Sequence, residues 1–128
     1  MSFKAKFKAA GIERNILSVD FGMLQQTDPT GRPSSIARGG KIHLKVEGTG
    51  ATDLFEWMTN SFERKDGTVT FVKRDSDATL KELKFKEAYI VKYTEDFDST
   101  GENPLTETFV LSAKEIEMGN ASHRNEWV

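Results

Sequence analysis

Residues 3–9, Phe-Lys-Ala-Lys-Phe-Lys-Ala, put Phe3, Ala5, Phe7 and Ala9 on one side of an extended chain and Lys4, Lys6 and Lys8 on the other. Successive side chains of a strand point to opposite faces, so this period of two marks a strand with one buried and one wet side. The same alternation returns along the chain. Val19, Phe21 and Met23 share a face in a second run that ends near Gln26, and Ile42, Leu44 and Val46 share one over residues 41–47. Val69 and Phe71 do so over residues 68–73, after a tight turn at Lys65, Asp66 and Gly67. The last long run, residues 105–117, carries Phe109, Leu111 and Ala113 on one face and Thr108, Val110 and Ser112 on the other.

Residues 80–95 also read as a strand, but their inward set changes. It passes from Leu83 and Phe85 to Ala88 and Ile90, or else continues through Tyr89, Val91 and Tyr93. One extra residue near Glu87, a β-bulge, reconciles the two patterns and bends the strand.

One segment breaks the period of two. Over residues 52–62, Phe55, Met58 and Phe62 recur at i, i+3 and i+7, with Leu54 and Trp57 beside them, which predicts a helix packing its aromatic stripe on the sheet. Thr52 or Asp53 suits its N-terminus, and Asp53 with Glu56 has capping-box spacing. About seven antiparallel strands and one helix give a mainly β domain. Its sheets are expected to curl into a small barrel or flattened sandwich, since closure removes exposed strand edges.

Between the second and third strands lies TDPTGRPSSIARGG, residues 27–40. Pro29, Gly31, Pro33, Gly39 and Gly40 interrupt both helix and sheet. A polar loop of this length in a compact domain usually has a function, and an interface is the one expected here. The chain's 128 residues are one domain's worth, with enough length for one core. Charged residues make up 30% of it yet nearly cancel to −2, which argues against nucleic acid or an anionic membrane as partner and permits self-association. Lys4, Lys6 and Lys8, like Lys84 and Lys86, fit a solvated face, a guard against edge pairing, or the lining of a polar channel.

There is no cysteine, which removes disulfides, thiol nucleophiles and thiolate metal sites. No window of the sequence approaches the ~18 consecutive apolar residues of a membrane helix, so no membrane insertion is expected. The first residues, MSFKAKFKAA, lack the apolar core of a secretory signal, which places synthesis and folding in the cytoplasm.

Chemistry-bearing motifs are few. Asp96, Asp98 and Thr100, then Gly101 and Glu107, approach calcium-loop spacing. Thr100 at the fifth position, Pro104 in the second half and strand-like flanks favour a solvated turn instead. His43 falls on the face opposite Ile42 and Leu44, and His123 is the only other imidazole. Two histidines without cysteine argue against zinc. Gly39-Gly40-Lys41 lacks the remainder of a phosphate loop. No catalytic residue, cofactor or metal is assigned.

The phrases FKAKFKAAG (residues 3–11), DPTGRPSSIARGGKIHLKVEG (28–48), LFEWMTNSFERKDGTVTFVKRD (54–75), LKELKFKEAYIVKYTEDFDSTGENP (80–104) and LSAKEIEMGNASHRNEWV (111–128) together resemble the tube proteins of type VI secretion systems. The family resembled is Hcp/TssD, in its Bacteroidota form. The resemblance implies a small β-barrel with one helix and no catalytic residues. It also implies a homo-hexameric ring that stacks head to tail into a hollow tube, with a contractile sheath, a spike and effector proteins as partners. Such a protein is cytoplasmic when assembled and leaves the cell through the apparatus, without a signal peptide.

The family's extended loop corresponds to residues 27–40, and is expected to touch an adjacent subunit or the next ring. The interface set is then Asp28, Pro29, Arg32, Pro33, Ser34, Ser35, Ile36 and Arg38, joined by Trp127 near the end of a polar tail. An effector-binding or chaperone ring and a phage-tail-tube-like structural protein are the alternatives.

Overall fold

The computed structural model describes residues 3–76 and 78–125. The lysine-alternating segment is strand β1 (Phe3–Ala9), and it folds back antiparallel on β2 (Ile12–Phe21) through a turn at Ala10 and Gly11, whose φ angles are 48° and 89°. There follow β3 (Lys41–Glu47), helix α1 (Asp53–Thr59), β4 (Lys65–Lys73), β5 (Thr79–Phe97), β6 (Leu105–Met118) and β7 (Ala121–Arg124). The strands lie in the order β3-β2-β1-β4-β5-β6-β7, and β3 also pairs with β6. Six strands therefore close into a barrel. The seventh, counted but not located in the sequence, extends the far end of β6.

Inside, Phe7 stacks on Phe85 with ring centroids 5.9 Å apart and meets Phe109 edge-on at 5.2 Å. Both arrangements suit the ring quadrupoles. Ile42, Leu44, Val46, Val69, Leu83, Leu111 and Ala113 complete the interior, as alternation predicts. Gly67 is obligatory where β4 crosses β1: a Cβ there would lie 2.3 Å from the Lys8 carbonyl oxygen and 2.5 Å from the Phe85 ring.

The expected irregularity near Glu87 is present. The β4–β5 register shifts between Lys65 and Gly67, opposite that residue, and Glu87 itself has φ 51°. A second shift, against β6, falls between Ile90 and Lys92. The inward set of β5 thus runs Leu83, Phe85, then Ala88, Ile90, then Tyr93. In β2 a shift between Ile16 and Ser18 likewise brings Val19 and Phe21 to the side already used by Ile12 and Ile16.

The helix forms where expected but shows its other face. Leu54 and Trp57 are buried at 0% and 1% exposure, whereas Phe55, Met58 and Phe62 stand at 49%, 37% and 85%. The helix ends at Thr59, so Phe62 is not on it and the i+7 member of the presumed stripe does not exist. Leu54 and the indole of Trp57, buried against the barrel, are the side chains that hold the helix in place. The indole nitrogen stays satisfied by donating to the Glu63 carbonyl at 2.9 Å. No side-chain cap closes the first turn: the Thr52 hydroxyl donates to Glu56, and Asp53 is engaged by Arg14 and by the Leu54 N–H.

Candidate assembly surface

From the end of β2 to the start of β3, residues 22–40 form an arm built as an irregular hairpin. Leu24 and Arg38 exchange backbone hydrogen bonds of 2.8 and 2.7 Å, and the Ser34 N–H donates to the Gln26 carbonyl at 2.7 Å. The Ser35 hydroxyl accepts from the Gln26 N–H at 2.9 Å. At the tip, Asp28 Oδ1 accepts from the Thr30 N–H at 2.9 Å, the Thr30 hydroxyl at 2.7 Å and the Arg32 N–H at 3.1 Å. Gly31 completes the turn at φ 89°, a left-handed value that glycine adopts without strain.

The hydrogen bond to Thr30, first, and those to the neighbouring backbone hold the Asp28 carboxyl below the usual range. Among the described residues every hydrogen bond made within 24–38 joins two residues of the arm. The arm is therefore shaped by itself and leaves Leu24 and Ile36 at 65% and 75% exposure.

This hairpin brings together Asp28, Pro29, Arg32, Pro33, Ser34, Ser35, Ile36 and Arg38, the residues singled out in the sequence. Trp127 lies outside the described residues. The sequence reading missed the other limb, where Leu24 pairs with Arg38.

The tip has a twin. At the β5–β6 turn, Asp98 Oδ1 accepts from the Thr100 N–H at 3.0 Å and its hydroxyl at 2.7 Å, and the Gly101 N–H donates to the Asp98 carbonyl. The hydrogen bonds from Thr100 hold this carboxyl low as well. The weak calcium-loop spacing, set aside in the sequence for a solvated turn, is not gathered by the fold. Glu107 does not reach the turn: it sits in β6 inside the barrel, where Arg14 Nε donates to its Oε1 at 2.8 Å and the Tyr93 hydroxyl donates to its Oε2 at 2.6 Å. Asp96 lies across from Thr106 in the ladder. Among the described residues no three acidic or imidazole groups gather as a metal site.

The Arg14 guanidinium also grips Asp53 at the start of α1, fastening the helix to the barrel. Burial works against the Arg14 charge, but its hydrogen bonds to Asp53 and Glu107 prevail and raise its affinity for the proton. Burial, then the bond to Glu107, pushes the Tyr93 phenol well above its ordinary value. These groups are locked and saturated, which suits architecture and not proton transfer. His43 is exposed on β3, and His123 meets the Asn125 side chain at 3.1 Å. Asn125 in turn donates to the Gly39 and Ala113 carbonyls, tying the base of the arm to β6.

Among the described residues, apolar side chains outside the arm also stand in solvent, and two places matter here. One is the outer stripe of α1, where Phe55 touches Tyr93 at 6.2 Å between centroids. The other is a groove beside the arm's base, lined by Phe21, Leu83, Ile116 and Met118. Apolar side chains gathered in solvent are the feature by which interaction sites are recognised.

A family model for hemolysin coregulated protein Hcp (TssD) matches residues 1–128. The chain belongs to the Hcp/TssD family. It is thus a tube protein of the type VI secretion system. Among solved structures, Hcp1 from Flavobacterium johnsoniae is 57% identical, with 95% of this chain and 99% of that one covered and a TM-score of 0.91. Hcp1 from Salmonella typhimurium is 13% identical over 97% of this chain and 95% of its own, at TM-score 0.78. A component of the PVC sheath–tube complex, an extracellular contractile injection system in its extended state, is 21% identical over 92% and 88%, at 0.55. These two share the fold. The comparison with curated proteins gives no match.

Proposed function

We propose that six copies of this protein close into a ring and that rings stack head to tail as the hollow inner tube of a type VI secretion apparatus. The observation that carries the reading is the Hcp/TssD match along residues 1–128. The self-shaped arm, which holds apolar side chains in water, supports it physically. A cyclic ring needs a heterologous contact, in which one surface of each subunit meets a different surface of the next. An arm on one side and apolar faces elsewhere provide that asymmetry. Contacts within the ring are broad and apolar, and those between rings smaller and more polar, so that the tube assembles and later comes apart.

In this role the protein works by shape and binds no cofactor. Its partners are further copies of itself, the contractile sheath around the tube, the spike at its tip and the effectors it carries. It assembles in the cytoplasm and leaves the cell when the sheath contracts. Size exclusion with light scattering tests the ring: the expected species has six times the 14.4 kDa of one chain. Negative-stain images then show annuli. A strict monomer at every concentration overturns the proposal.

A further inference from the structure

Residues 39 and 40, at the root of the arm, are both glycine, and the space around them explains why. A Cβ on Gly39 would lie 3.0 Å from the Met23 side chain and 3.1 Å from the Gly22 carbonyl oxygen, so the two limbs meet closely where they leave the barrel. Gly40 has φ 103°, and a Cβ there would lie 2.5 Å from Asn125 Nδ2 and 2.7 Å from the Ala113 carbonyl oxygen. The bare backbone leaves room for the Asn125 side chain to enter the root.

Asn125 uses its whole amide there. Its side-chain N–H groups donate to the Gly39 and Ala113 carbonyl oxygens, each at 3.0 Å, and its Oδ1 faces His123 Nε2 at 3.1 Å. Turning the amide over would set an oxygen against two carbonyl oxygens, so the partners fix its orientation and make His123 Nε2 the donor. The backbone N–H of Asn125 donates to the Lys114 carbonyl at 2.7 Å, which keeps the residue in line with β7. Among the described residues, the bond to Gly39 is the one hydrogen bond that reaches residues 23–39 from elsewhere in the chain.

We infer that Asn125 is a positioning residue for the arm: by holding the Gly39 carbonyl beside β6, with His123 orienting its amide, it fixes the direction in which the arm leaves the barrel. Pairing within the arm sets its shape but not its angle, because a hairpin joined by two limbs can pivot as a unit at Gly22 and Gly39. Gly22 has open space where a Cβ would stand, so nothing on that side stops the pivot. The consequence for assembly rests on the ring-and-tube reading above; the positioning itself does not.

The chain has no cysteine, so spin labels attach only to introduced thiols. Ser34→Cys on the arm and Lys84→Cys on β5, both at exposed positions, report the arm-to-barrel distance by pulsed electron paramagnetic resonance. Labelled chains are diluted into excess unlabelled protein, so that each measured pair lies within one chain. Asn125→Asp keeps the shape of the side chain but turns its donor into an acceptor facing two carbonyl oxygens, and Asn125→Ala removes the group altogether.

The expected result is one narrow distance distribution for the parent, a broader one for Asn125→Ala and the broadest for Asn125→Asp, with hydrogen-exchange protection along β7 retained. In rings a neighbour also holds the arm, and the same order is expected as a falling ring fraction at matched concentration. An unchanged distribution and ring fraction in both variants overturns the inference. So does a loss of β7 protection with the broadening, since Asn125 would then only keep that strand in place. A larger effect from Asn125→Ala than from Asn125→Asp overturns it as well, by assigning the role to bulk and not to the donated bonds. A parent that stays a single chain at every concentration overturns the ring reading alone, and the distance measurement still decides the positioning.

Discussion

Arg14 and Glu107 lie 93 residues apart in sequence, yet their side chains, each 2% exposed, meet at 2.8 Å inside the barrel. The pair links β2 to β6, and Arg14 reaches on to Asp53 at the start of α1. Tyr93 of β5 closes the remaining side of the Glu107 carboxylate. One salt-bridge network thus joins three strands and the helix. Burying such charges brings little net stability, but removing one partner strands the others without water.

Glu107→Ala is therefore expected to destabilise the fold by about 3–5 kcal/mol, because it leaves Arg14 in the barrel with only Asp53. Tyr93→Phe removes one hydrogen bond to a charged group and costs less, about 1.5–3 kcal/mol. Arg14→Met combined with Glu107→Leu, which removes both charges, recovers most of the loss. Urea unfolding at a single protein concentration reads these differences, since assembly would otherwise add to apparent stability. A double variant as weak as Glu107→Ala refutes the account of the pair.

The two faces of α1 are expected to differ sharply. Trp57→Ala empties a fully buried indole site and costs about 3–5 kcal/mol. Phe55→Ala, on the outer face of the helix at 49% exposure, costs the isolated barrel about 1 kcal/mol or less. Equal losses at both positions would contradict the helix orientation described above.

Much of the barrel is legible as alternation: Phe7, Ile42, Leu44, Val46, Val69, Phe85, Phe109 and Leu111 are buried where a period of two puts them. The same period places Arg14 between Ile12 and Ile16 on the inward face, and Glu107 in step with Phe109. Their charges disguise them as surface residues, and only the closure of β3 onto β6 shows that they meet. Helix orientation was misread because Phe55, Met58 and Phe62 match helical spacing over a length the helix does not have. Strand β7 is four residues long and polar, so it forms only because β6 offers it an edge. Of the arm, composition revealed its existence. The outward display of Leu24 and Ile36 depends on the 24–38 register, which no local signal encodes.

The twin turns make a pH prediction. Asp28 and Asp98 have carboxyl pKa values lowered below 3.8, chiefly by their hydrogen bonds from Thr30 and Thr100. A lowered value means that the ionised form is favoured in the folded tip. The support is therefore present above the ordinary carboxylate range and is lost as pH falls through the folded value. Amide shifts of Thr30 and Thr100, followed by NMR, should titrate with midpoints below 3.8. Asp28→Ala should speed exchange of the Thr30 and Arg32 amides while leaving Thr100 unchanged. Midpoints above the ordinary value would mean that the carboxylates do not accept these bonds.

The arm makes its hydrogen bonds to itself, so its loss should not be felt by the barrel. Arg32→Glu inverts a charge that has no ion-pair partner among the described residues, and deletion of residues 34–38 removes one limb of the hairpin. Either change should leave unfolding free energy within about 0.5 kcal/mol of the parent in the dissociated state, the usual range for surface positions. Assembly should respond differently. Ordering an arm against a neighbour costs conformational entropy that contacts must outweigh, so a reversed charge at the joint is enough to shorten stacks. Electron microscopy is expected to show tubes reduced to short stacks or single rings with Arg32→Glu, and a stronger loss with the deletion. Full-length tubes from both variants would place the joint elsewhere on the subunit, whereas an unfolded barrel would show that the arm is structural to the chain that carries it.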